Sequence, residues 1–248
     1  MINILKDLYP NQLLLDRCLR PGGLPADDSS EVYYSNLKTQ PKNWYYRTNT
    51  VTYKHNSNGY RCPEWNDVDW PNSWVVIGCS FVEGFGLDES DTISTRLSEL
   101  LNEPVINLGV GGSGPDAHLF NTIRLIDNNI RPKGVVYINA EKFFSRFMLF
   151  TNERAVPMGI WSLEQKRDGS DNSELYTAWC NHTHHAPTHS YICSRAVVAM
   201  WESKQVPVFH FSVEQDLTRI FDQARDLKHP GRETIKVWAQ EITNVLRG

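Results

Sequence analysis

Trp74-Val75-Val76-Ile77-Gly78-Cys79-Ser80-Phe81-Val82-Glu83-Gly84 is the stretch on which the reading of this chain turns. The run 74–78 is too short and too β-branched for a helix, and it is apolar at consecutive positions instead of alternating. It therefore reads as a strand buried on both faces, the kind found in parallel sheets covered by helices. A serine follows two residues after the strand ends. Open α/β sheets place reactive groups just past the carboxyl ends of their strands, where helix N-termini point free N–H groups outward. Ser80 is thus either a nucleophile facing solvent or a helix N-cap. With Val82 where a glycine would stand, the string is not the G-x-S-x-G elbow of α/β-hydrolases.

Outward from this stretch the pattern repeats. A helical face of Ile93, Leu97, Leu100 and Leu101 lies in 93–102, and a second strand is expected at 105–108. Phe120, Ile123 and Ile126 mark a helix over 116–129, followed by strands at 135–139 and 206–211. A last helix begins near Arg232 and buries Ile235, Trp238, Ala239, Ile242 and Leu246. Strands alternating with helices through short links predict a three-layer α/β/α sandwich around a mostly parallel sheet. Two regions break the rhythm. Residues 1–73 are rich in Tyr, Trp, Asn and Pro, and are expected to form an irregular extension packing on the core domain, 74–248. Residues 151–189 are polar and too long for an ordinary connection, so they read as a lid or an insertion. The aromatics Tyr33, Tyr34, Trp44, Tyr45, Tyr46, Trp65 and Trp70 are expected to pack across the outer face; a sugar-stacking platform and a protein interface are the alternatives.

The 248 residues carry 25 Lys plus Arg against 29 Asp plus Glu, a formal charge of −4 that offers no broad footprint for nucleic acid. No apolar run approaches the roughly 18 residues of a membrane helix. The opening M-I-N-I-L-K-D-L-Y-P has Asp7 and Pro10 where a signal peptide is apolar. Five widely spaced cysteines (Cys18, Cys62, Cys79, Cys180 and Cys193) form no C-x-x-C pair. Together these features predict reduced thiols in a cytoplasmic protein with no membrane partner. Cys79, beside Ser80, is expected to pack below the strand end as a small hydrophobe.

Two further strings carry chemistry. Asn107-Leu108-Gly109-Val110-Gly111-Gly112-Ser113-Gly114 follows the second strand and permits close backbone approach to a ligand. It also satisfies G-x-G-x-x-G. The acidic partner of a dinucleotide site would then be Asp127, inside a helix, and the loop follows the second strand and not the first, which disfavours a nucleotide. Asp226-Leu227-Lys228-His229-Pro230-Gly231 precedes the last helix. Asp226 and His229, three apart on a turn, either sit solvated or pair so that one imidazole tautomer is fixed and Nε2 is free as a base.

In this order the three strings resemble the blocks of the SGNH/GDSL hydrolase superfamily. Its first block, G-D-S-x-T-x-G, corresponds to Gly78–Gly84 with Cys79 in place of Asp; its second-block glycine corresponds to Gly109, and its D-x-x-H-P block to Asp226, His229 and Pro230. Asn58-Gly59-Tyr60-Arg61 is similar to an N-x-G-Y/F-R strand that often precedes the first block. The G-C-S-F form is similar to versions from bacteriophage and environmental bacterial genomes. The third block, G-x-N-D, corresponds to Val136-Tyr137-Ile138-Asn139-Ala140-Glu141-Lys142, where no glycine stands two residues before Asn139. Asn139 is either the oxyanion amide or a strand-end turn residue.

The resemblance implies a flavodoxin-like SGNH fold and hydrolysis of acyl esters, which family habit extends to O-acetyl groups on carbohydrate. Ser80 would be the nucleophile, His229 the base and Asp226 its orienting partner, with Ser80, Gly109 and Asn139 supplying the oxyanion hole. No metal or organic cofactor is required, and activity should rise with pH as His229 loses its proton. The rival implication is an SGNH-fold interaction protein with weakened chemistry, such as a virion-associated component of a phage particle or a homo-oligomer. A Cys/His-rich run, Cys180-Asn181-His182-Thr183-His184-His185 with His189 and Cys193 beyond, has zinc-ligand types in no standard spacing. It is expected to be a solvated loop, with a metal or a substrate contact as alternatives.

Overall fold

The computed structural model describes Leu14 and residues 25–150, 155–163, 172–181 and 184–248. Strands β1 (Trp74–Gly78), β2 (Val105–Gly109), β3 (Gly134–Asn139) and β6 (Val208–Ser212) form one parallel sheet in the order β2-β1-β3-β6. β4 (Phe147–Phe150) and β5 (Ala155–Met158) make a separate antiparallel pair. The helices are α1 (Ser30–Thr39), the one-turn α2 (Ser80–Glu83), α3 (Ile93–Leu101), α4 (Pro115–Asp127), α5 (Asn172–Asn181), α6 (His185–Ser203) and α7 (Arg232–Arg247).

Because successive side chains of a strand point to opposite faces, the consecutive apolar residues of β1 supply two cores at once. Trp74 and Val76 join Val136 and Ile138 beneath Ile93 and Leu97 of α3 and Ile235, Trp238 and Ile242 of α7. Val75 and Ile77 join Val135 and Tyr137 beneath Leu125 of α4 and Val197, Val198 and Trp201 of α6. Fully burying each large apolar side chain contributes roughly 1.5–3 kcal/mol. The result is the expected three-layer sandwich. β1 connects onward to β2 on one side, whereas β3 leads to β6 on the other. The order reverses between β1 and β3, the place where open α/β sheets leave a crevice at their carboxyl edge.

Two expectations are corrected. Asn58-Gly59-Tyr60-Arg61 is a turn and not a strand. The Asn56 side-chain oxygen accepts from the N–H of Asn58 at 3.1 Å and of Tyr60 at 2.9 Å, and Gly59 takes a φ of +81°. The Cys/His-rich run is not a solvated loop. Its His185, His189 and Cys193 lie on α6, and Cys180 and Asn181 end α5; His182 lies outside the described residues. The buried stripe of α6 is Ala186, Ser190, Cys193, Ser194, Val197, Val198 and Trp201, spaced three and four apart, and Pro187 sits in the first turn, where its missing N–H costs nothing. Cys193 contacts His189 at 3.6 Å, and burial pushes its thiol up to about 11. Among the described residues no three metal-ligating side chains gather, and no helix is long and apolar enough to cross a membrane.

Candidate active site

Cys79 is the extended N-cap residue of α2, so Ser80 is its first helical residue. A first-turn N–H has no intrahelical acceptor, and the Ser80 N–H takes none elsewhere among the described residues. The strand ends close tightly on this turn. A Cβ on Gly109 would stand 2.3 Å from the backbone nitrogen of Glu83, so only glycine lets β2 and α2 meet.

The Asp226–His229 turn reaches Ser80 from 149 residues away. His229 Nε2 lies 2.8 Å from Ser80 Oγ. His229 Nδ1 is hydrogen-bonded to Asp226 Oδ2, while Asp226 Oδ1 accepts the N–H groups of Lys228 and His229, each at 3.1 Å. Both carboxylate oxygens are thereby engaged, and the ring is held with Nε2 toward the serine. Phe81 stands edge-on to the imidazole at 5.6 Å between centroids, and Phe85 flanks it at 5.2 Å. All three polar residues are buried.

The structure brings Ser80, His229 and Asp226 together but corrects Gly109. Its N–H donates to Asn107 Oδ1 at 2.9 Å, and the residue is buried against α2, so it has no donor to offer an oxyanion. Two positions on, Gly111 N–H is taken by Glu83 Oε2 at 2.6 Å. Gly112, at a φ of +77°, is partly exposed, and its N–H has no acceptor among the described residues. Only a residue free to enter the left-handed region could turn its amide out of the chain in this way. Asn139 ends β3, one residue beyond the partner of Gly78. Its backbone oxygen accepts from Val213 at 2.9 Å, and its side-chain amide makes no hydrogen bond among the described residues.

The glycine loop is anchored from below. Ser113 Oγ lies 2.9 Å from Nε2 of His118, whose Nδ1 is 3.3 Å from the Tyr137 hydroxyl. Burial pushes the His118 pKa down to about 3 from 6.5, so the folded protein holds a neutral ring where the unfolded chain binds a proton. Its contribution is complete above about pH 6.5 and is lost as pH falls toward 3, at about 1.4 kcal/mol per unit. Urea unfolding at about pH 7 and about pH 5 should show a smaller acid loss for His118→Gln than for the wild type. Identical losses would mean that His118 is not held neutral.

The residues before β1 supply a brace that the sequence did not announce. Arg61, fully buried, donates to the carbonyls of Gly84 at 2.7 Å, Leu87 at 2.8 Å and Thr52 at 2.9 Å, and pairs with Glu89 at 2.9 Å. It thereby holds the chain leaving α2. Asp28 takes Arg225 in a two-pronged pair, 2.8 Å at each oxygen, and also accepts from the Tyr53 hydroxyl. That hydroxyl receives the Gly86 N–H at 2.7 Å, while Gly86 O accepts from Arg225 N–H at 3.0 Å. Burial works against the Arg225 charge, but its bonds to Asp28 hold the pKa above the ordinary arginine value. Asp28, Tyr53 and Arg61 therefore tie the serine loop to the turn carrying Asp226 and His229.

Fold and site together define a three-layer α/β/α protein with a Ser-His-Asp constellation at the carboxyl edge of its parallel sheet. No protein-family model matches the chain, and no curated protein matches it. Solved structures similar to it include an acetyl xylan esterase from the rumen bacterium Butyrivibrio proteoclasticus, 12% identical over 81% of this chain and 65% of that one, with a TM-score of 0.38. A Corynascus thermopiles carbohydrate esterase family 2 enzyme with a carbohydrate-binding domain is also 12% identical, over 71% and 65% of the two chains, TM-score 0.38. A member of the lipolytic protein G-D-S-L family from Veillonella parvula is 11% identical over 71% and 98%, TM-score 0.37.

Proposed function

We propose that this chain is a serine esterase of SGNH type that hydrolyses acyl esters through Ser80, His229 and Asp226. The observation that carries the reading is the 2.8 Å approach of His229 Nε2 to Ser80 Oγ, with Asp226 bonded to the other ring nitrogen. His229 takes the proton as Ser80 Oγ attacks the ester carbonyl. Asp226 holds the ring and stabilises the imidazolium, which then protonates the departing alcohol. A water molecule, deprotonated by the same nitrogen, resolves the acyl-enzyme. The tetrahedral oxyanion is received by the N–H groups of Ser80 and Gly112 and the amide of Asn139, donors that spend no hydrogen bond among the described residues. O-acetyl groups on carbohydrate are the substrates suggested by the habit of the family that the blocks resemble.

A fluorophosphonate probe applied to the full chain tests the reading directly. Label should appear on Ser80, identified by peptide mass, and be absent from Ser80→Ala. Wild-type protein that stays unlabelled would overturn the esterase reading and favour an interaction protein on the same scaffold.

A further inference from the structure

Arg146, which is half-buried, differs in its pairing from Arg61, Arg96, Arg225 and Arg232. Arg61 is paired with Glu89, Arg96 and Arg232 with Asp91, and Arg225 with Asp28. Among the described residues Arg146 has no ion pair, and its buried Nη1 has no hydrogen-bond partner. Its guanidinium carbon instead lies over two aromatic rings, 3.4 Å from the centroid of Phe143 and 5.1 Å from that of Trp161. Burial pulls its pKa below the ordinary arginine value, with neighbouring Cys79 and Tyr176 working the other way. A desolvated cation without a counter-ion is costly, and proteins ordinarily pair such a group. Stacking on aromatic faces leaves the in-plane N–H fork of a guanidinium open to a planar anion.

The position of this cation connects it with the serine. Phe143 meets Phe81 edge-on at 5.7 Å, and Phe81 in turn meets His229. Trp161, the second of these rings, is the neighbour that a Cβ on Gly112 would touch at 3.2 Å. Cys79, which acts electrostatically on Arg146, is the residue before Ser80. A second cation, Lys142, places Nζ 5.1 Å from the Phe143 ring centroid and 5.3 Å from that of Phe81. The guanidinium is thus linked to Ser80 and His229 through Cys79, Phe143 and Phe81, and to the glycine loop through Trp161.

We infer that Arg146 is a substrate-recognition residue, and that the ester taken by this site carries a carboxylate which pairs with this guanidinium. This rests on the esterase reading above and names its substrate class: a carboxylate-bearing ester, such as an acylated acidic sugar, in preference to a neutral one.

Two matched pairs of esters test it on the full-length protein. Mono-O-acetylated methyl galacturonoside against the same acetylated methyl galactoside places the charge on the alcohol side. Mono-4-nitrophenyl succinate against 4-nitrophenyl butyrate places it on the acyl side. The charged member of at least one pair should be favoured in kcat/KM by roughly 10- to 100-fold, the range expected for hydrogen bonds to a charged group. Arg146→Met should bring that ratio near one, and Arg146→Lys, which keeps the charge but not the planar fork, should give an intermediate ratio. Arg146→Met should melt no lower than wild type, because it removes an uncompensated charge and keeps an apolar stem; this separates recognition from a structural role. Ratios near one in the wild type, or unchanged by Arg146→Met, overturn the inference and leave the esterase reading standing. If no ester is cleaved, the esterase reading falls. Calorimetry with Ser80→Ala then decides the anion site: tighter binding of the galacturonoside than of the galactoside, abolished by adding Arg146→Met, supports it, and equal binding overturns it.

Discussion

Ser80→Ala protein is expected to lose 4-nitrophenyl acetate turnover by about 10⁴–10⁶-fold, the range seen when the nucleophile of a triad is removed. The fold should survive, because among the described residues the Ser80 side chain bonds only to His229, and the first position of a helix tolerates alanine. What remains is the contribution of the amides facing the oxyanion. The triad acts as a unit, so adding His229→Ala to Ser80→Ala should lower the rate little further. Turnover by Ser80→Ala equal to wild type would remove this serine from the mechanism.

Asp28→Ala should carry the largest loss of stability, about 3–5 kcal/mol, as expected when one partner of a buried ion pair is deleted and the other is stranded. Asp28 is wholly buried and holds Arg225 at both of its oxygens, so its loss leaves a guanidinium and the Tyr53 hydroxyl without their acceptor. Arg225 is the residue before Asp226, and its displacement should also misplace His229, lowering kcat by an estimated tenfold or more. Denaturant midpoints and initial rates measured on the same preparations check both effects. Asp28→Ala/Arg225→Met should recover part of the stability, since the stranded charge is gone, without restoring the rate. A loss below about 1 kcal/mol for Asp28→Ala would mean that the pair is not part of the scaffold.

The sheet was legible because β1, β2, β3 and β6 are written as short apolar runs, and a strand buried on both faces has no other way to be written. Ser80, Asp226 and His229 were legible because their neighbours fix them: a serine two residues past a strand, and an acid and an imidazole three apart on a Pro-Gly turn. Other features left no such mark. The buried face of α6 uses Ala, Ser and Cys, whose modest hydropathy hides a helical period behind a run of histidines. Gly109 and Gly112 are alike in sequence, and only the backbone decides which N–H is spent on Asn107 and which is turned outward. Asp28, Tyr53 and Arg61 act on residues far along the chain, and local pattern does not record a partner at that distance.

The contact between Asp28 and Arg225 spans 197 positions, and that between Ser80 and His229 spans 149. Loops of such length are closed late, after the nearer contacts of the central strands have offset their own entropy. Competence for chemistry should therefore be the last property this polypeptide acquires during synthesis and the first it forfeits under partial unfolding. The sandwich can persist with its reactive hydroxyl uncoupled, so a preparation may look native by spectroscopy and still be inert.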